Sequence, residues 1–485
     1  MSRNILSIAA LLIASSTALA QTVHAPVTPA PTPAPTHVPA PAAEAAPVAT
    51  VPAAPAPAEV PAAPIVTAPV VAPVVAEPAP AQKPAETAVS IAGTKISPYG
   101  FLQLNSVYET GANGGYLYSV WAPLRAQDGE GRLLLNVNLT RIGLNLAGPA
   151  KESGAEVSGK FESDFLNSNN ARYANGANNF RIRHAYGQLK FNDIGLSVLF
   201  GQTQDIIAPL VAPSLNQGAL QGTGSLGTRR PMIRLAEFVG PIEAAVAVTD
   251  NRETTAPVLP AFQGSLKAKV PASWAGEKQN LELTLSGHYA SSEKAADTEA
   301  EKDAKDASGW KAPPTSWSGI ASLSVPVVSI VNISGEFFLG QNLGNYNVGS
   351  IGQNAVSKEG EGLKSLGGWG AANVKLPANF ALAGGYGFES IDKKREPAAK
   401  PGTPAVPEDP STGTPAKPAV PATNARIKNA VIFGNLKYFI DESVFIGFEY
   451  ANLVTDYVTD NTANNHETDK GKLNRFELVF NYSFK

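Results

Sequence analysis

Cysteine is absent from the 485 residues, so neither disulfides nor cysteine-ligated metal hold this chain together, and stability falls to hydrogen bonding and packing. Long hydrophobic runs are missing too: beyond the N-terminus no stretch approaches the ~18 uninterrupted apolar residues that a bilayer-spanning helix needs. Neither sign of charge is in excess. A formal net charge of -3 is too balanced to imply a nucleic-acid partner or a polybasic membrane patch. Histidine is scarce as well, with five in all, which leaves few candidates for a general base.

What is present begins with an export signal. Arg3 supplies a positive n-region, Ile5 to Ile13 an apolar h-region, and Ala18-Leu19-Ala20 an A-x-A-like cleavage site, so residues 1–20 read as a signal peptide. Residues 21–94 follow as a Pro/Ala-rich segment. From Thr22 to Glu86 its prolines recur every few residues, which excludes both helix and sheet ladder and predicts a disordered, extended tract. It reads either as a passive spacer or as a periplasmic tether to peptidoglycan. A second Pro-rich insert, Glu396 to Ala422, interrupts a β-patterned region and is expected to be a loop outside any bilayer.

Residues 95–485 carry a period-2 pattern. At the C-terminal end Phe476, Leu478, Phe480, Tyr482 and Phe484 fall on one face, and Arg475, Glu477, Asn481 and Ser483 on the other, an apolar face against a polar one. A half-buried strand of a soluble sheet would alternate similarly, but aromatic density this high behind an export signal favours insertion in the outer membrane. Sixteen such segments can be placed: 96–108, 133–147, 156–166, 180–191, 196–204, 231–238, 242–249, 262–270, 281–289, 315–326, 329–339, 367–376, 380–390, 426–439, 444–454 and 473–484. Tight turns, such as those after Phe191, Phe238, Leu376 and Ile440, alternate with long polar loops. That asymmetry belongs to transmembrane barrels, with short periplasmic turns and long external loops. The fold class predicted is all-β, an antiparallel transmembrane β-barrel of about sixteen strands, and a barrel that wide leaves an aqueous channel.

Individual strands point charge inward, because a charge facing lipid costs ~2–4 kcal/mol at mid-bilayer. Glu156, Ser158, Lys160, Glu162 and Asp164 share a face opposite Val157, Phe161 and Phe165; Arg181 and Arg183 oppose Phe180, Ile182 and Tyr186. In the second strand the apolar phase slips from Val137 and Leu139 to Ile142, Leu144 and Leu146, which predicts a β-bulge near Thr140-Arg141 that keeps Arg141 inward. The segment Asp205 to Arg230 carries Ile206, Ile207, Leu210, Val211, Leu215 and Leu220, too apolar for a solvated loop. It is expected to fold into the lumen as a constriction, the alternative being packing on neighbours or at a subunit contact.

The stretches "PYGFLQLNSVYE", "LTRIGLNL", "KFESDF", "FRIRHAYGQLKF" and "LSVLFGQTQDIIAPL" resemble the DcaP-like family of trimeric outer-membrane porins. The resemblance covers about the first five barrel strands. It implies a sixteen-stranded homotrimeric channel whose lumen arginines favour small anionic solutes such as dicarboxylates. From the residues themselves, the pore-lining candidates are Arg141, Lys160, Glu162, Asp164, Arg181, Arg183, Asp205, Arg229, Arg230 and Arg234. Clustered guanidiniums bind carboxylates bidentately, whereas pairing with the acids would leave a transverse field of weak selectivity.

Catalysis is not expected. His184 and His288 are the histidines in strands, and His184 shares a face with Ile182 and Tyr186, as for a lipid or subunit contact. No G-x-S-x-G, metal-ligand pair or phosphate loop occurs in a fitting context, and "GTGSLG" at Gly222 has no helix after it. No cofactor is implied. A passive porin for small hydrophilic solutes is the function predicted, with a structural tether through the Pro/Ala segment as the alternative.

Overall fold

The computed structural model describes residues 88–484 except 112–118, 125–130, 150–153, 167–179, 217–219, 254–256, 277–278, 292–314, 354–361, 393–423 and 461–465. The signal peptide, nearly all of the Pro/Ala-rich segment and the Pro-rich insert lie outside the described residues. Those described belong to one compact unit, Ala81–Lys485.

Eighteen strand segments form a single sheet. They are β1 (Val89–Ile91), β2 (Thr94–Glu109), β3 (Arg132–Asn136), β4 (Arg141–Ala147), β5 (Ala155–Asp164), β6 (Arg181–Phe191), β7 (Leu196–Gln204), β8 (Arg229–Val239) and β9 (Ile242–Thr249). The second half comprises β10 (Ala261–Pro271), β11 (Asn280–Ala290), β12 (Ser316–Val328), β13 (Val331–Gln341), β14 (Lys364–Leu376), β15 (Phe380–Ile391), β16 (Ala425–Phe439), β17 (Val444–Asp460) and β18 (Glu467–Phe484). The sheet closes because β18 pairs antiparallel with β2, Arg475 opposite Glu109 and Phe484 opposite Gly100. β3 and β4 both pair along β2 as two parts of one strand, and β1 is a three-residue return on the start of β2. The closed ring therefore has sixteen strands, as the periodicity predicts, and the edges of β7 and β9 fall where the sequence put them.

Side-chain exposure separates the two faces of the wall. On β18, Phe476, Leu478, Phe480 and Tyr482 are 36–49% exposed, while Arg475, Glu477, Val479 and Asn481 are at most 6% exposed. The same alternation around the ring gives an outer belt that includes Leu102, Phe200, Ile233, Leu285, Phe337, Leu382 and Phe448. Its extent far exceeds the apolar patches a water-soluble monomer tolerates, and it matches a hydrocarbon environment.

The phase slip is absorbed by one extra residue, as the expected bulge requires: Asn136 lies opposite Asn105 and Arg141 opposite Phe101, so residues 137–140 face 102–104. Residues 137–140 form a turn, closed by Thr140 N–H to the Val137 carbonyl at 2.9 Å and Asn138 N–H to Asn136 Oδ1 at 2.7 Å. Leu139 is buried by it with Val107, Leu134 and Leu166. The Gln103 N–H, facing the gap on β2, is met by Thr140 Oγ1 at 3.1 Å, so the ladder loses no donor.

The short turns lie at one end. Asn192–Ile194 is a single 3-10 turn stopped by Gly195 at φ 66°; Ala378 and Asn379 turn at φ 55° and 64°. Asp441 Oδ1 accepts Ser443 N–H at 2.6 Å and Val444 N–H at 2.9 Å. The start of β2 lies beside the end of β4, and the end of β18 beside β2, so the chain both enters and leaves the barrel at this short-turn end.

Candidate functional site: a loop across the lumen

The connection from β7 to β8 does not stay over its own strands. Ile206 N–H reaches Gln263 Oε1 on β10 at 3.0 Å, the Ile207 carbonyl takes Ser286 Oγ–H on β11 at 2.6 Å, and Leu210 N–H reaches Glu336 Oε1 on β13 at 3.1 Å. It then arrives at the far wall. Glu449 on β17 accepts Leu215 N–H and Ser214 Oγ–H at 2.7 Å each and Asn216 N–H at 3.2 Å, and Asn435 on β16 donates to the Pro213 carbonyl at 2.8 Å. The apolar residues explain why. Ile207, Ala208 and Leu226 pack with Ile320, Phe338, Leu343 and Tyr346, and Leu220 with Trp369, Val431, Phe433 and Leu453. Burying these against an inner wall recovers apolar area that a solvated loop would forfeit. The expected constriction is therefore present as a chain segment lying across the barrel, with Val211 left 88% exposed.

Its fit needs glycine. A Cβ on Gly387 of β15 would collide with the Thr223 carbonyl, so the loop backbone and the wall touch without intervening side chains. Two further loops line the interior. Ala122 N–H binds Thr455 Oγ1 at 2.8 Å and its carbonyl accepts Tyr457 Oη–H at 2.6 Å, and Ser350 N–H binds the buried Glu389 carboxylate on β15.

Facing the loop, β4, β5 and β6 present a cationic cluster. Arg183 Nε donates to Glu162 Oε1 at 2.7 Å and its Nη1 to Asp164 Oδ2 at 2.8 Å. Arg181 grips Asp164 through two bonds of 2.8 and 2.6 Å, the bidentate geometry planar guanidinium favours. Arg141 Nε lies 3.4 Å and Lys160 Nζ 3.9 Å from Glu162, which also accepts Tyr99 Oη–H at 2.8 Å. Arg229, at the start of β8, lies within electrostatic reach of Arg183, Arg181 and Arg141, and Arg234 within reach of Glu243 and Tyr186. Two carboxylates thus serve a larger set of cations, and Arg181, with a third of its side chain exposed, faces the open space.

One inference about β6 is corrected. Glu162 lies opposite His184, yet Ser163 lies opposite Ile182, so Arg183 is an extra residue in the ladder. This bulge turns both Arg183 and His184 inward. His184 Nδ1 is 2.9 Å from Thr203 Oγ1 and its Nε2 3.9 Å from Glu162; it is no lipid contact, while Ile182 stays outward at 45% exposure.

Asp205 and Arg230 are placed elsewhere than in open lumen. Their side chains are wholly buried and pair at 3.1 Å. Asp205 also accepts Thr228 N–H at 2.8 Å and Gln263 Nε2–H at 2.7 Å, which clasps the two ends of the loop together. The Arg230 guanidinium lies 4.2 Å over the Tyr346 ring, which stacks at 3.7 Å on His288, and it donates to the Asp250 and Asn345 carbonyls at 3.1 Å. Beside it, in the loop after β9, burial pushes the Glu253 carboxyl up to about 7 against the pull of Asn345 and Arg230. A raised carboxyl favours the folded state less as pH climbs from the ordinary carboxylate range through the folded value, and the penalty is complete above it. Glu253→Gln is therefore expected to raise the thermal midpoint of the barrel at pH 8 by the equivalent of about 1–2 kcal/mol, discounted for partial solvent access, and to leave it unchanged at pH 4. Gel heat-modifiability at the two pH values measures this.

The acids that fix the loops, Glu336, Glu389 and Glu449, are absent from the sequence-derived set, as are Tyr99 and His184. The available signal was an isolated glutamate on the inward phase of an otherwise apolar or small-residue strand, such as Glu336 within "ISGEFFLG".

No protein-family model matches this chain, and no curated protein does. The closed sixteen-strand wall with its inward loop defines the fold of an outer-membrane porin barrel. Among solved structures, it is similar to the outer membrane channel DcaP of Acinetobacter baumannii, with a TM-score of 0.59 and 18% identity over 81% of this chain and 99% of that one. OmpF of Salmonella typhi in complex with daunomycin overlays more loosely, with a TM-score of 0.47 and 9% identity over 82% of this chain and 100% of that one. OmpT of Vibrio cholerae lacking loop L8 gives 0.46 and 10% over 81% and 100%. The fold expected from the DcaP-like resemblance is borne out.

Proposed function

We propose that the protein is a passive outer-membrane channel for small hydrophilic solutes with a preference for anions, assembled as a homotrimer in outer-membrane lipid with its short-turn end toward the periplasm. One observation carries this reading: the loop after Gln204, described at 205–216 and 220–228, lies across the lumen opposite a wall where Arg141, Lys160, Arg181, Arg183 and Arg229 outnumber Glu162 and Asp164. Passing solute is squeezed against guanidiniums that retain spare donors, in a confined space where charge acts strongly. The channel described for DcaP, whose fold this chain shares, supports conduction as the role. The reading is non-enzymatic: His288 is buried between Ser316 and Ser318 beneath Tyr346, where its ring supports the loop.

Single-channel recording of the refolded mature protein in planar bilayers, with a salt gradient across the membrane, tests it. Stable steps in threes with an anion-leaning reversal potential are expected. Absence of steps from a protein that is heat-modifiable on a gel overturns the channel, and a cation-leaning potential overturns the preference.

A further inference from the structure

Beneath the loop, on the wall opposite the arginines, lies a cavity of about 670 Å³ at the short-turn end. Its floor follows from register. Lys375 on β14, Ala381 on β15 and Lys437 on β16 form one cross-strand row, and Asn373, Ala383 and Asn435 the next. Residues directly opposite in an antiparallel sheet share a face, so the rows place a lysine and an asparagine at each side of two alanines. The lysine Cα atoms stand two strand spacings apart, ~10 Å, and with alanine between them nothing fills the space that both ammonium groups reach. The loop is tied to the edge of this floor, where Asn435 donates to the Pro213 carbonyl.

The charges here have no internal destination. Neither lysine is ion-paired with a described residue. Glu449, the acid electrostatically nearest Lys437, gives its oxygens to Ser214, Leu215, Asn216 and Asn435. At the rim, Asp441 is engaged by its own turn, and Glu442 completes the lining with Phe439. The Lys437 ammonium lies 5.6 Å over the Phe445 ring, which packs on Phe439. Two ammonium groups with no described carboxylate in direct contact, amide donors and an aromatic side fit a carboxylate carried on a small apolar body, with Asp441 and Glu442 confined to the rim.

We propose that this cavity is a second solute station, on the periplasmic side of the constriction, that holds an organic monocarboxylate between Lys375 and Lys437. As a step in transport it rests on the channel reading; as a binding site it does not. A solute leaving the arginine wall would meet a second pair of cations across the lumen, so the carboxylate has a further binding step on its path in either direction.

The absence of cysteine from the chain gives a site-specific test. Ala381→Cys places the sole thiol on the cavity floor, and its reaction with an anionic thiosulfonate is compared with that of a cationic one of similar size, in refolded full-length mature protein in detergent micelles. The anionic reagent is expected to react about tenfold faster, since a local positive potential concentrates it, and benzoate, but not benzamide, is expected to slow it. Adding Lys375→Gln and Lys437→Gln should abolish both the preference and the benzoate protection; Lys437→Gln alone should diminish both and serves if the triple variant does not fold. Equal reagent rates in Ala381→Cys, protection by benzamide as strong as by benzoate, or preference surviving loss of the lysines would overturn the station. Conductance of the same preparations reports separately on the channel: no conductance with benzoate protection intact removes transport and leaves the site.

Discussion

Replacing Glu336 and Glu449 together by alanine is expected to raise single-channel conductance at least about twofold, because the narrowest part of a pore sets its current and these two acids hold it narrow. Glu449 accepts Leu215 N–H, Asn216 N–H and the Ser214 hydroxyl, and Glu336 accepts Leu210 N–H together with Ser322 and the Trp369 indole N–H. Both carboxylates are nearly inaccessible to water. Hydrogen bonds to a charged group contribute ~1.5–3 kcal/mol each, and a buried N–H left without an acceptor costs ~1–3 kcal/mol more. The double variant thus removes the carboxylate attachments of the loop at mid-lumen and at the far wall, leaving the Asn435 bond to the Pro213 carbonyl. Apolar packing of Ile207 and Leu226 persists, as does that of Leu220 on Trp369, Val431, Phe433 and Leu453, so the stretch around Leu210 to Asn216 is expected to swing between these anchors, not to unfold the wall, whose ladder is independent of these side chains. Conductance should become noisier as well as larger. Glu336→Gln with Glu449→Gln keeps one acceptor oxygen at each site and is expected to fall between. Unchanged conductance in a heat-modifiable alanine variant would mean that packing alone positions the loop.

The barrel was legible in the chain because its wall repeats one instruction, an apolar residue outward and a polar or small one inward, with Gly, Pro, Asn and Asp where the ladder must reverse. Leu196–Gln204 and Ile242–Thr249 could be delimited to the residue because an uninterrupted period-2 run meets strong turn formers at both ends. The inward loop was legible for the converse reason, apolar residues where a solvated loop should have none. Two features defeated the pattern. At 137–140 the phase slip marked the extra residue, but its closure as a turn depends on Thr140 meeting Gln103 across the sheet, a contact between strands. At Arg183 a single extra residue moved His184 from outside to inside, and nothing local marks it. The carboxylates that hold the loop are further still from local pattern, since Glu449 and Leu215 are distant in sequence and meet because the loop spans the lumen.

The cationic wall divides its labour between two arginines, and substituting each should give a different result. Arg183 is almost inaccessible, 6% exposed in its side chain, and bridges both Glu162 and Asp164; Arg181 is 34% exposed and holds Asp164 alone. Arg183→Ala leaves two buried carboxylates short of their shared partner, a loss of ~3–5 kcal/mol for breaking a buried pair from one side. It should lower the thermal midpoint of the barrel and push the reversal potential toward cations, because the acids it neutralised now contribute to the field. Arg181→Ala removes an accessible charge while Arg183 still covers Asp164, so the reversal potential should move toward cations with the thermal midpoint almost unchanged. Glu162→Gln in the Arg183→Ala background removes one of the two acids that lost this partner, Glu162 keeping only Tyr99 in hydrogen bonding and Arg141 and Lys160 at 3.4 and 3.9 Å, and is expected to recover much of the stability and part of the anion preference. Recovery by that second change separates an electrostatic role from simple loss of packing, which Glu162→Gln would not repair. If neither arginine variant shifts the reversal potential, the wall does not face the conducted ions and selectivity must be set elsewhere along the lumen.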